Sequence, residues 1–119
     1  GENNMELKPA LRALRSSCGS VASAVISRDG LVIAADMPEG VSMETFAIMC
    51  ATLMGAASTA NSELHVGTPQ HILVESEEAK MIAVGAGRKA LVVAVIGKKA
   101  DAALALKKLD EMAETIKMI

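Results

Sequence analysis

Val21-Ala22-Ser23-Ala24-Val25-Ile26-Ser27-Arg28-Asp29-Gly30-Leu31-Val32-Ile33-Ala34 is the segment from which the architecture is read. Val21 to Arg28 is rich in Val, Ile and small residues, the composition of a strand. Asp29-Gly30 reads as a two-residue hairpin turn, because a type I′ turn needs positive φ at both central positions. Leu31 to Asp36 is then the returning strand, and Met37-Pro38-Glu39-Gly40 is a loop.

Upstream, Leu7, Leu11 and Leu14 recur at helical spacing, with Lys8, Arg12 and Arg15 on the other side. Pro9 is tolerated in a first turn, so this helix is expected over Leu7–Ser17, starting near Leu7. Gly19 is its left-handed cap. Residues 1–4 are given no structural weight, as a disordered or tag-derived end, and a single domain is expected over residues 5–119.

Downstream, Ser42 opens a long helix with Glu44 in its first turn, where the helix dipole favours an acid. Met43, Phe46, Cys50, Leu53, Ala57, Ala60 and Leu64 alternate steps of three and four and are expected to pack on something flat. The opposite side carries Ile48, Ala51, Thr52, Gly55, Thr59 and Ser62. A solvated helix face normally carries Lys or Glu. This one is uncharged and mostly small, so another helix can approach it closely.

His65 to Pro69 is a connector. Three strands follow, Gln70–Ser76, Met81–Gly85 and Leu91–Gly97, joined by turns at 77–80 and 86–89. An amphipathic helix over Ala100–Met118 closes the chain, with Ala102, Leu106, Leu109, Ala113 and Ile116 as its apolar stripe. Val21–Ile26, Met81–Val84 and Leu91–Ile96 are nearly continuous apolar runs, as expected for strands covered on both faces. Gln70, His71 and Glu75 interrupt the third strand, which reads as an edge. The fold class is α+β, an α/β sandwich in the order α-β-β-α-β-β-β-α with helices on both faces of a five-stranded antiparallel sheet.

Composition bounds the chemistry. The 119 residues are 51% hydrophobic, which excludes a disordered segment, yet Phe46 is the sole aromatic. A core of Val, Ile, Leu, Met and Ala buries less area per residue than one with aromatics, and such cores often gain burial by oligomerising. A net charge of −2 with mixed signs argues against nucleic acid. Thr45 to Ser62 is free of charge and long enough to suggest a membrane span. It is rich in Ala, Ser and Thr and bracketed by Glu44 and Glu63, so no direct membrane insertion is expected. Cys18 and Cys50 are far apart, and no signal peptide is evident. Both facts fit a reduced, cytoplasmic protein.

With these elements in place, the chain resembles the roadblock / dynein light chain family, including its MglB-like prokaryotic members. The resemblance rests on the Gly19–Ala34 hairpin, the long Ala- and Met-rich central helix, and the Leu91–Ile96 strand followed by a terminal helix. It implies a profilin-like roadblock fold with sheet order 2-1-5-4-3. It implies homodimerisation through the central helix and the third strand, with one sheet continuous across two subunits. It also implies binding to a small Ras-like GTPase, as a non-enzymatic regulator of it. The alternative is a passive adaptor or scaffold of the dynein light chain type, without effect on nucleotide turnover. The expected dimer interface is Ile48, Met49, Thr52, Gly55, Ala56, Thr59, Gln70, Ile72 and Val74. Glu44, Ala51, Ser62, Arg28 and Arg88 are candidates for partner contact.

Other constellations read as structure. Gly85-Ala86-Gly87-Arg88-Lys89-Ala90 resembles part of a phosphate loop, but an apolar strand follows it where a helix N-terminus would have to hold the phosphate. His65 and His71 have no cysteine at ligand spacing. Cys50 lies on the apolar stripe, as a small core residue. Glu75, Glu77 and Glu78 form a solvated turn. Neither a nucleophile elbow nor a P-loop is present. No catalytic residue, cofactor or metal is therefore expected. A ligand sensor or small enzyme on this fold would need a pocket with convergent polar groups, which the sequence does not display.

Overall fold

The computed structural model describes residues 2–118, with side chains from Glu6 onward. The elements are α1 (Glu2–Cys18), β1 (Ser20–Ser27), β2 (Val32–Asp36), α2 (Met43–Leu64), β3 (His71–Glu75), β4 (Ala79–Ala86), β5 (Ala90–Gly97) and α3 (Ala102–Ile116). The strands form one antiparallel sheet in the order β2-β1-β5-β4-β3, as the resemblance implies. β3 pairs only with β4 and is an edge strand, as its interrupted apolar pattern suggests.

Alternation along the central strands builds two cores. Val25, Ile82, Val84, Val92, Ala94 and Ile96 face α1 and α3, where Leu7, Leu11, Leu14, Ala105, Leu109, Ala113 and Ile116 close over them. Ala24, Ile26, Ala83, Leu91 and Val93 face the other way, onto Ala47, Cys50 and Met54 of α2. Each fully buried Leu or Ile contributes about 1.5–3 kcal/mol, so the face with α1 and α3 supplies most of the apolar stabilisation. Arg15 adds a specific tie between layers. Its Nε donates to Asp36 Oδ2 at 2.7 Å and its Nη2 to Oδ1, which fixes α1 against β2. The hydrogen bond to Asp36, followed by the charge of that carboxylate, pushes the Arg15 pKa up.

The structure departs from the sequence reading in three places. First, α1 runs from Glu2, so Pro9 lies inside it and not in its first turn. Proline removes one amide donor and crowds one carbonyl, which weakens the preceding turn by about 3 kcal/mol without forbidding it. The expectation of a disordered or tag-derived end at residues 1–4 falls, for Gly1, outside the described residues. Second, the β1–β2 connection is not a two-residue type I′ turn. Ser27 N donates to Leu31 O at 2.8 Å and Gly30 N to Ser27 O at 3.0 Å, so Arg28, Asp29 and Gly30 form a three-residue loop. Gly30 alone takes positive φ, at 91°. The pairing then slips between Val25 and Ile26, with Val25 opposite Ala34 and Ile26 opposite Val32. That bulge accommodates the odd loop. Third, α2 is turned about its axis relative to the expected stripe. Ala47, Cys50 and Met54 face the sheet, while Met43, Leu53 and Leu64 are exposed. A helix apolar nearly all round presents no single stripe, so periodicity alone could not set its rotation.

Two positions test this packing. Gly30 has α2 against it, and a Cβ there would lie 3.0 Å from Ile48 Cα. Gly30→Ala should lower stability by about 1–3 kcal/mol in urea unfolding, from strain in φ and the clash together. Ser23 is fully buried in β1, and its Oγ has no hydrogen-bond partner among the described residues. Ser23→Ala should raise stability by about 1 kcal/mol, read as a higher denaturant midpoint at unchanged slope.

Candidate interaction surface

α2 is stopped and started by local chemistry. Ser42 at its N-cap is extended, at φ −76° and ψ 107°, and its Oγ accepts from Thr45 N at 3.2 Å. At the other end His65 takes the left-handed conformation, at φ 55°, and its N–H returns to Ser62 O. Asn61 Nδ2 donates to Gly67 O at 3.1 Å and ties the connector back to the helix.

Between those caps α2 carries 22 residues, of which Ala47, Cys50 and Met54 are buried. Phe46, Ala51, Ala57, Ser58 and Asn61 flank them, half-buried. The outer face is open. Ile48 is 48% exposed, Met49 53% and Leu53 42%. Thr52, Gly55, Ala56 and Thr59 are exposed beside them, and a Cβ on Gly55 would meet nothing within 4 Å. Thr52 Oγ1 is satisfied by Ile48 O at 2.8 Å, so this surface offers little unpaired polarity.

The helical residues expected at a dimer interface thus share one open face. Leu53 belongs with them, although its spacing had placed it inward. On β3, Ile72 and Val74 are half-buried, and Ile72 packs against the same core as the inner side of α2. Gln70 is exposed just before the strand. His71, Leu73 and Glu75 point to the opposite side, where Leu73 is 45% exposed.

The partner-contact candidates do not form one cluster. Glu44 and Ser62 are exposed but lie on the first and last turns of α2, about 27 Å apart at the helical rise. Ala51 is half-buried against the core and is removed from the outer face, by the same rotation that exposes Leu53. Arg28 is not a free surface arginine. Its Nε and Nη2 donate to Gly87 O at 3.2 and 2.8 Å, and it is half-buried. Arg88, in the β4–β5 turn, is exposed. That turn leads from strand to strand, with Gly87 at φ 72°, and has no helix N-terminus behind it. Among the described residues no three His, Cys, Asp or Glu side chains converge as metal ligands, and no helix is long and apolar enough to cross a membrane.

A family described as the Roadblock/LC7 domain matches residues 10–96. The uncharacterised proteins MJ0310 and MJ1340 of Methanocaldococcus jannaschii are each 36% identical over 83 residues, covering 70% of this chain and 73% of theirs. Among solved structures, Myxococcus xanthus MglB superposes with a TM-score of 0.91 at 9% identity, over 99% of this chain and 90% of that one. A structure described as MglB with tetrameric arrangement gives 0.86 at 21% identity, over 98% and 87%. At those identities the likeness is one of fold.

Cys50 sits beneath this surface and is chemically quiet. It is buried, unpaired, and 3.8 Å from Met81 Sδ. Burial pushes its thiol up to about 11. Cys18 is also raised, chiefly by burial. A thiol raised on folding favours the protonated native state, so its contribution is intact below the ordinary value near 9 and is lost as pH climbs towards about 11. Unfolding followed from pH 8 to pH 11 should show an alkaline decline that is shallower in Cys50→Ala than in the parent. Iodoacetamide should label Cys50 slowly at pH 8 until the protein is unfolded.

Proposed function

The chain belongs to the Roadblock/LC7 domain family, and we propose that it works as a homodimer that binds a small Ras-like GTPase and catalyses no reaction itself. One observation carries this reading: the outer face of α2 is uncharged, partly apolar, and left open by the monomer. Two copies related by a two-fold axis would bring α2 against α2 and β3 against β3. The unpaired edge would be closed, and each patch would meet its own copy. A stable interface of this kind buries roughly 1,600 Å² in total. Small residues at Thr52, Gly55, Ala56 and Thr59 let the helix axes approach, while Ile48, Met49 and Leu53 supply apolar area. The tetrameric arrangement of one MglB structure supports self-association as a property open to this fold.

The GTPase part follows from the family resemblance and from a lack of charge that suits a second protein surface. Acceleration of hydrolysis, where it occurs, would come from positioning the GTPase's own residues. For an arginine supplied in trans, Arg28 is held by the Gly87 carbonyl, which leaves exposed Arg88 as the freer of the two candidates.

Gly55 separates an interface from a wet helix face. With open space around it, Gly55→Glu adds a better helix former and should be neutral or stabilising by up to about 1 kcal/mol in a monomer. At a helix–helix contact it buries a charge at the closest approach. Light scattering should give twice the 12.3 kDa chain mass for the parent and the single mass for Gly55→Glu. A parent that is monomeric at micromolar concentration would sink the dimer. Pull-downs with GTP-loaded and GDP-loaded small GTPases of the same genome should recover one nucleotide state preferentially. Capture without preference and without altered hydrolysis would instead describe an adaptor.

A further inference from the structure

A second site lies away from α2, at the end of the sheet where β1, β4 and the connector into β3 meet α3. There Arg28, Thr68, Gln70, Gly85, Gly87, Asp110 and Glu114 line an open cavity of about 510 Å³. That volume lies within the roughly 300–1,000 Å³ typical of small-molecule sites. We propose that this cavity binds a small zwitterion of the α-amino-acid class, carboxylate on Arg28 and ammonium on Asp110.

The geometry of Arg28 makes the first half of the case. Two of its N–H groups, on Nε and Nη2, are spent on the single carbonyl of Gly87. The guanidinium is thereby held across Gly85, with Nη2 only 2.8 Å from where a Cβ on Gly85 would stand. Its Nη1 side has no partner among the described residues, and a guanidinium presents a fork suited to a carboxylate. An arginine already held in place loses less side-chain entropy when it binds.

α3 supplies the second half. Asp110 and Glu114 stand one turn apart on α3. Glu114 is paired with Lys117 at 2.7 Å. Asp110 takes part in no ion pair among the described residues, and neither does Arg28. The cavity is thus lined by one arginine and one aspartate that enter no ion pair among the described residues. A phosphate or other simple anion would meet Asp110, and a simple cation would meet Arg28. A molecule with both charges can engage both side chains at once. Gln70 and Thr68 add neutral polar groups at the rim. The α2 surface takes no part in this site, although Gln70 at its rim also belongs to the expected dimer interface.

Gly85→Ala is the discriminating variant. It keeps every charge, and its φ is ordinary, but the new methyl displaces the end of the Arg28 side chain. ¹⁵N–¹H spectra of the full chain should be recorded with each common α-amino acid at on the order of 10 mM, with their N-acetyl and methyl-ester forms, and with inorganic phosphate. At least one free amino acid should give saturable shifts confined to Arg28, Gln70, Gly85, Gly87 and Asp110. Acetylation, esterification, Gly85→Ala or Asp110→Asn should each weaken it by about ten-fold or more. Phosphate should give no saturable shift there. Should Gly85→Ala fail to fold, Arg28→Gln takes its place. Absence of site-confined shifts with every amino acid would overturn the proposal, as would binding that tolerates both blocked forms, or phosphate binding as tight as that of the amino acid.

Discussion

One helix covering a whole sheet face with three small or flexible side chains is the constraint that organises this molecule. Ala47, Cys50 and Met54 are all that α2 buries outright. Phe46 is the one aromatic against this core and is only half-buried, and Gly30 lets the β1–β2 loop run against the α2 backbone at Ile48. Close approach of that kind maximises dispersion contacts per residue but covers little area. The outer side of α2 between Thr45 and Ser62, though uncharged, stays in water in a single subunit. The thinness of this layer is what the proposed second copy would compensate.

The opposite face is built on different terms. Leu11, Leu14 and Leu109, with β-branched strand residues beneath, form a thick apolar layer, and the Arg15–Asp36 pair locks α1 onto β2. Asp36 is buried at the end of an edge strand, and its bidentate arginine satisfies both carboxylate oxygens. The apolar stabilisation is thus concentrated on one face. One layer holds the sheet while the outer side of the other stays open in the single subunit, a division that suits the proposed binding role.

Arg28 illustrates how one residue serves two scales. Its backbone N–H pairs with Lys89 O, continuing the β1–β5 ladder past the hairpin, while its side chain caps the β4–β5 turn through Gly87. Holding a turn together in this way also fixes a guanidinium at the mouth of a cavity. Asp110 and Glu114 of α3 line that cavity together with Gly85 of β4.

Element order, the Gly19 cap, the Ser42 cap and the identity of the doubly covered strands were all legible in the chain, because each depends on a few neighbouring residues or on local apolar runs. The edge character of β3 was legible too, from Gln70, His71 and Glu75. What tertiary structure alone decided were matters of rotation, register and distance. Periodicity could not say that Leu53 faces out and Ala51 in, since every side of α2 is apolar or small and the choice rests on which residues fit the sheet. Asp-Gly could not distinguish a two-residue from a three-residue loop, since the bulge between Val25 and Ile26 sets the phase. Nor could any spacing join Arg15 to Asp36, or bring Arg28 and Asp110 to one cavity, because residues far apart in the chain come together only through the packing of whole layers.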